Sequence, residues 1–210
     1  PTSSMCQTME NITTIELNKR PWVVAHRGYR AKYPENTLAS FEAAIAAEAD
    51  MIELDVCLTC DRIPVVIHDK TLDRTTNGKG LVSAHTLAEL KELDAGSWFG
   101  AEFKGEAIPT LEELLLKIKG RITVNVEIKP ESFEAPAPPD AIEVQVCEMV
   151  ERLEMEDSVL ISSFEHFFFA RIQSWYRDQN ISAKIRTATL QEAPLADDFA
   201  VALCQRHKAY

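Results

Sequence analysis

Met51-Ile52-Glu53-Leu54-Asp55-Val56 is the stretch on which the fold turns. In an extended chain successive side chains alternate between faces, so Glu53 and Asp55 share one face and Ile52, Leu54 and Val56 the other. The segment Ile122-Thr123-Val124-Asn125-Val126-Glu127-Ile128 repeats the pattern. Asn125 and Glu127, continued by Lys129, point one way, and Val124, Val126 and Ile128 point the other. Taken alone, each set also reads as solvated charge at a strand end or a surface Lys–Glu pair. Two otherwise apolar strands that both turn acids to one side near their C-terminal ends favour a shared polar interior with helices covering the apolar side.

Working outward, Trp22-Val23-Val24-Ala25-His26 is a buried strand candidate, followed by Leu38, Phe41, Ile45 and Glu48 at helical spacing. Pro34-Glu35-Asn36-Thr37 leads into that helix. Ile63-Pro64-Val65-Val66-Ile67-His68 reads as a third strand in the same alternation. Residues 69–109 break the rhythm with turn signals at Asn77-Gly78-Lys79-Gly80, a short helix capped by Thr86-x-x-Glu89, and a loop around Gly96 and Gly100. They read as an insertion. A helix capped by Thr110-x-x-Glu113 precedes the acidic strand at 122–128, and a proline-rich loop leads from it to a helix at about 141–153. Ser158–Ser162 is a further strand, with Ser162-x-x-Glu165 as the expected cap of a helix carrying Phe168, Ile172 and Trp175. Ala183–Thr187 is a sixth strand, and a last helix is expected at roughly 196–207.

Strands alternating with helices imply a parallel sheet. An open doubly wound sheet and a (β/α)8 barrel both fit. No GxGxxG follows the first strand, which disfavours a dinucleotide-binding sheet, and polar residues at several strand ends favour the barrel. Six strands are readable in 210 residues, whereas a barrel has eight strands and typically ~250 residues. The expectation is therefore a C-terminally truncated or alternative form of a longer protein, with residues 1–20 as an N-terminal extension and 21–210 as one domain.

The formal net charge of −11 argues against a nucleic-acid partner. No apolar run reaches the roughly 18 residues of a membrane span, and no signal peptide is visible. Five scattered cysteines read as reduced thiols, and with the acidic balance they lead us to expect a cytoplasmic protein of undetermined oligomeric state. Cys57-Leu58-Thr59-Cys60 lacks a second Cys/His pair to complete a zinc site and reads as structural.

The chemistry centres on seven residues. Glu53 and Asp55 are costly to bury unless a hard cation such as Mg²⁺ or Ca²⁺ satisfies them, and Glu127 is a third candidate ligand. His26 and His68 close two strands on either side of these acids, a placement suited to general acid–base work. Arg27 offers a fork for phosphate oxygens, with Gly28 permitting close approach, and Lys129 offers a second phosphate contact. His85, His166 and His207 lie in loop or helix contexts and take no role.

His26-Arg27-Gly28, Pro34-Glu35-Asn36-Thr37, Glu53-Leu54-Asp55-Val56, His68-Asp69 with Leu72 and Arg74-Thr75-Thr76, Asn77-Gly78, Ile108-Pro109-Thr110-Leu111 and Val126-Glu127-Ile128-Lys129 follow one another in this order. In them the chain resembles the glycerophosphodiester phosphodiesterase family of the phospholipase C-like phosphodiesterases, with a weaker echo at Ile161-Ser162-Ser163-Phe164. The resemblance implies a (β/α)8 TIM barrel with a small insertion and a divalent metal, Mg²⁺, Ca²⁺ or Mn²⁺, on Glu53, Asp55 and Glu127. It implies His26 and His68 as the acid–base pair, with Arg27 and Lys129 on the phosphate. The implied reaction is hydrolysis of a glycerophosphodiester to sn-glycerol 3-phosphate and an alcohol. The alternatives are a lysophospholipase D-type activity on lysophospholipids, or a catalytically impaired form acting as a binding protein. Family members usually continue through two more strands and a Trp-Thr-Val-Asn-like segment, neither of which is expected within these 210 residues.

Overall fold

A computed structural model describes residues 21–182 and 185–190. The expected N-terminal extension and last helix lie outside the described residues. The elements are β1 (Val24–His26), α1 (Leu38–Ala46), β2 (Met51–Leu58), β3 (Pro64–Val66), α2 (Leu87–Lys91), α3 (Leu111–Ile118), β4 (Thr123–Ile128), α4 (Ile142–Arg152), β5 (Val159–Ser163), α5 (Phe167–Asp178) and β6 (Arg186–Thr189). Three short 3₁₀ turns join them.

The sheet runs β1-β2-β4-β5-β6, every neighbouring pair parallel, as in consecutive βα units of a (β/α) barrel. Ile52, Leu54 and Val56 of β2 and Val124, Val126 and Ile128 of β4 are fully buried on the helix side. They pack with Phe41 of α1, Leu111, Leu114, Leu115 and Ile118 of α3, Val146 and Val150 of α4 and Phe168, Ile172 and Tyr176 of α5. Each such side chain contributes about 1.5–3 kcal/mol through removal from water. α3 is fixed at its start by the Thr110/Glu113 capping box, and α2 by Thr86/Glu89.

The first strand is not buried as expected: β1 pairs only with β2 among the described strands, and Val23 and Val24 are half exposed. Two further expectations are corrected. The segment at 63–68 is not a third strand of the parallel series: β3 pairs antiparallel with the far end of β2, Val56 opposite Val66 and Leu58 opposite Pro64. Only residues 59–63 join the two strands, and a parallel crossover needs about a dozen residues or more, so a hairpin is the available solution. Val56 also pairs with Ile128 of β4, so β3 occupies the β1 edge of β2 beyond the point where β1 stops.

The second correction concerns α5. Ser162 does not cap it: its side chain is buried in the sheet in register with Glu127. Ser163 takes the turn instead, its hydroxyl donating to the Ile128 carbonyl and accepting from the Glu165 amide. The Glu165 carboxylate in turn accepts from the Phe167 amide.

The excursion between β2 and α3 has its own small core of Cys57, Val65, Ile67, Leu72, Val82, Leu90, Ala95 and Ile108. Cys57 is part of that core, with burial pushing its thiol up to about 12, while Cys60 is exposed.

Candidate active site

Strand register assembles the site in two rungs. His26 of β1 stands opposite Glu53 of β2, which stands opposite Asn125 of β4. Two residues along, Asp55 stands opposite Glu127, and Glu127 opposite Ser162 of β5. Side-chain alternation then turns Glu53, Asp55 and Glu127 to one face at the C-terminal ends of the strands. One carboxylate oxygen from each lies within 4.8 Å of the others, and all three residues are buried.

Three buried acids would repel one another unless compensated. Lys129, immediately beyond β4, donates to Glu127 Oε1 at 2.9 Å and lies 3.5 Å from Asp55 Oδ1. The Arg27 guanidinium stands 3.5 Å from Asp55 Oδ2 through Nε. The Arg27 backbone amide donates to both the carboxylate (2.9 Å) and the carbonyl (3.0 Å) of Glu53. That aim requires a left-handed backbone, φ 59° at Arg27, which costs a non-glycine residue roughly 1–2 kcal/mol. Gly28 follows at φ +79°, where an added Cβ would fall 2.8 Å from the Ser40 carbonyl carbon. The turn after β1 is therefore built to bring backbone close to α1 and an amide onto Glu53.

Compensation is incomplete. Glu53 Oε1 and Asp55 Oδ1 have no hydrogen-bond partner although both are buried. Burial first, then the Asp55 and Glu127 charges, push Glu53 up to about 8, against the opposing Arg27 hydrogen bond. A divalent cation fits here. Its charge would offset the repulsion, and an all-oxygen donor set with two vacant lone-pair positions matches hard-cation chemistry.

The two histidines lie differently. His26 Nε2 is 3.8 Å from Glu53 Oε2, its ring half exposed. Burial, then Arg27 and Arg30, lower its pKa, which favours the neutral imidazole at neutral pH. His68 does not end a barrel strand; it follows β3 and enters the site from the excursion. Its Nδ1 lies 2.6 Å from Asp69 Oδ1. An ionised carboxylate only accepts, so the proton is on Nδ1 and Nε2 carries the lone pair in the neutral ring.

Four residues to which the sequence assigns no part also belong to this region. Asn36 is buried with a left-handed backbone (φ 56°), and its amide donates to Asp55 Oδ2 at 2.9 Å. Glu35, Asp69 and Arg74 form a chain of ion pairs between His68 and Arg27. All four lie in segments that carried the family resemblance, so the signal was present as motif without a role.

The family described as the glycerophosphoryl diester phosphodiesterase family matches residues 26–208. A glycerophosphodiester phosphodiesterase of Caldanaerobacter subterraneus subsp. tengcongensis is 48% identical over 146 residues, covering 69% of this chain and 58% of the relative. One from Bacillus subtilis is 34% identical over 196 residues, covering 89% of this chain and 65% of the relative. The chain thus spans about three fifths of the length of the curated relatives it matches. Among solved structures, an Oleispira antarctica phosphodiesterase in complex with the product sn-glycerol-3-phosphate superposes with a TM-score of 0.74 at 36% identity, covering 88% of this chain and 72% of that one. A match running from His26 through every element of the site, on a barrel of the same architecture, means that this chain belongs to the glycerophosphoryl diester phosphodiesterase family.

Proposed function

We propose that the protein hydrolyses glycerophosphodiesters to sn-glycerol 3-phosphate and an alcohol in a metal-dependent reaction. The observation that carries this reading is the triad of Glu53, Asp55 and Glu127, buried with two oxygens that accept no hydrogen bond and flanked by the cations of Arg27 and Lys129. Hard oxygen ligands favour Mg²⁺, Ca²⁺ or Mn²⁺. When bound, such an ion supplies Lewis-acid neutralisation of phosphate charge. Arg27 and Lys129 hold the phosphate from either side and stabilise the charge that grows as the alcohol departs. One histidine takes a proton from the glycerol 2-hydroxyl or a water; the other returns one to the leaving alcohol oxygen as its bond to phosphorus breaks. Net, one water is consumed per diester cleaved. The free Nε2 of His68 and the neutral ring of His26 are each competent to accept a proton.

A second reading, hydrolysis of lysophospholipids, draws support from a row of partly exposed rings beginning just after Gly28. Tyr29, Tyr33, Phe103, Phe99 and Trp98 follow one another at centroid separations of 5.3–6.1 Å. Among the described residues no helix is long and apolar enough to cross a membrane. A panel of glycerophosphocholine against lysophosphatidylcholine separates the two readings. His26→Ala and His68→Ala should each abolish turnover while metal binding, followed by calorimetry, persists; a fully active variant of either would sink the acid–base assignment.

A further inference from the structure

Arg74 ties the His68–Asp69 pair to the β1–α1 connection, beside the backbone bond from the Ile67 amide to the Asp55 carbonyl. Arg74 donates from Nε and Nη2 to Asp69 at 2.6 and 3.0 Å, and from Nη1 and Nη2 to Glu35 at 3.0 and 2.7 Å. Glu35 Oε1 also accepts from Arg27 Nη1 at 3.1 Å, and Arg27 Nε lies 3.5 Å from Asp55. The chain of contacts thus runs His68–Asp69–Arg74–Glu35–Arg27–Asp55. Its two ends belong to different parts of the fold, since Asp69 and Arg74 follow β3 in the excursion and Glu35 and Arg27 lie in the β1–α1 connection. A small cavity lined in part by Glu35, Asn36, His68 and Thr75 lies between the two segments.

We propose that Arg74 is a positioning residue, clamping Asp69 to Glu35 so that His68 and Arg27 are held in one geometry across the substrate phosphate. The proposal rests on the phosphodiesterase reading above. Its physical basis is the planar fork, which binds two carboxylates at once in a fixed relative orientation; a lysine ammonium has no such geometry. Were Arg74 a mere surface ion pair, its partners would be exposed and mobile. Instead the Glu35 side chain is 9% exposed and ties back to the Arg27 that faces Asp55. Burial raises the Glu35 pKa, but the Arg74 and Arg27 contacts overcome it and hold the carboxyl ionised. Asp69 is likewise held well below the usual range, chiefly by its Arg74 hydrogen bonds.

The test compares Arg74→Ala, Arg74→Lys, Asp69→Asn and the double variant Arg74→Ala/Asp69→Asn, with two readouts. Under turnover, Arg74→Ala should lose on the order of 10–100-fold in kcat, the cost of a misplaced acid–base group, with KM raised as Arg27 loosens on the phosphate. Added guanidinium should restore part of it, and Arg74→Lys should not. Because Arg74 and Asp69 share the path to His68, the double variant should lose less than the product of the two single losses. Without turnover, the ring-nitrogen NMR signals of His68 in metal-free protein should show one tautomer, with the proton on Nδ1, in the wild type and a mixture in Arg74→Ala and Arg74→Lys. Wild-type kcat in Arg74→Ala, multiplicative losses in the double variant, or unchanged His68 signals would each overturn the proposal. If the wild type hydrolyses no diester, the phosphodiesterase reading fails on its own, and the His68 signals still decide whether Arg74 sets the ring.

Discussion

Asn36→Gly isolates one hydrogen bond at the heart of the site. Asn36 is 4% exposed and donates to Asp55 Oδ2 at 2.9 Å; the remaining contacts of that carboxylate, Arg27 Nε and Lys129 Nζ, are ion pairs at 3.5 Å. Glycine accepts the left-handed backbone (φ 56°) without strain, which offsets the ~0.4–1 kcal/mol of unfolded-state entropy that glycine adds. What remains is the loss of a hydrogen bond to a buried charge, about 1.5–3 kcal/mol. Asn36→Ala loses the same bond and places an alanine in the left-handed region, a further ~1 kcal/mol. Alanine should therefore be the worse substitution, the reverse of the usual order. Urea denaturation of metal-free protein reads both values. Divalent-cation affinity, measured by calorimetry, should fall on the order of 10–100-fold as Asp55 loses its orienting partner. Asn36→Gly within about 0.5 kcal/mol of wild type, or Asn36→Ala the more stable of the two, would mean that this hydrogen bond does not hold Asp55.

Gly28→Ala should cost about 2–4 kcal/mol in the same denaturation assay, from a φ of +79° and a Cβ driven against Ser40. Arg171→Ala should cost about 3–5 kcal/mol in thermal unfolding, since Glu143 is 1% exposed and Arg171, stacked on Phe133, is its ion-pair partner at 3.2 Å. Removal of divalent cations should leave a protein whose stability falls as pH rises. The folded Glu53 pKa is raised from 4.5 to about 8, so its contribution is present below the unfolded value and is lost as pH climbs through the folded one. Melting temperatures in chelator at pH 5 and pH 9 should differ in that sense, and Glu53→Gln should shrink the difference.

Much of this was legible in the chain. The period-2 faces of β2 and β4 put Glu53, Asp55 and Glu127 together because alternation is a local rule and parallel register carried it across strands. The capping boxes at Thr86 and Thr110 were equally local. Ser162 failed as a cap for a reason the same rule contains: in register with Glu127 it had to face inward, leaving Ser163 for the turn. The direction of β3 was also recoverable, since residues 59–63 are too few for a crossover, but an apolar run carries no sign of its own direction. The partners of Asn36, Glu35, Asp69 and Arg74 were not legible. Arg74 meets Glu35 across 39 residues, a contact that only the packed fold decides.

The most direct test of the central claim is ³¹P NMR of glycerophosphocholine incubated with the protein and Mg²⁺, Ca²⁺ or Mn²⁺. The expected result is conversion of the diester signal to that of sn-glycerol 3-phosphate, stopped by chelator and absent in Asp55→Asn. An intact diester with every cation, or phosphocholine as the product, would contradict it.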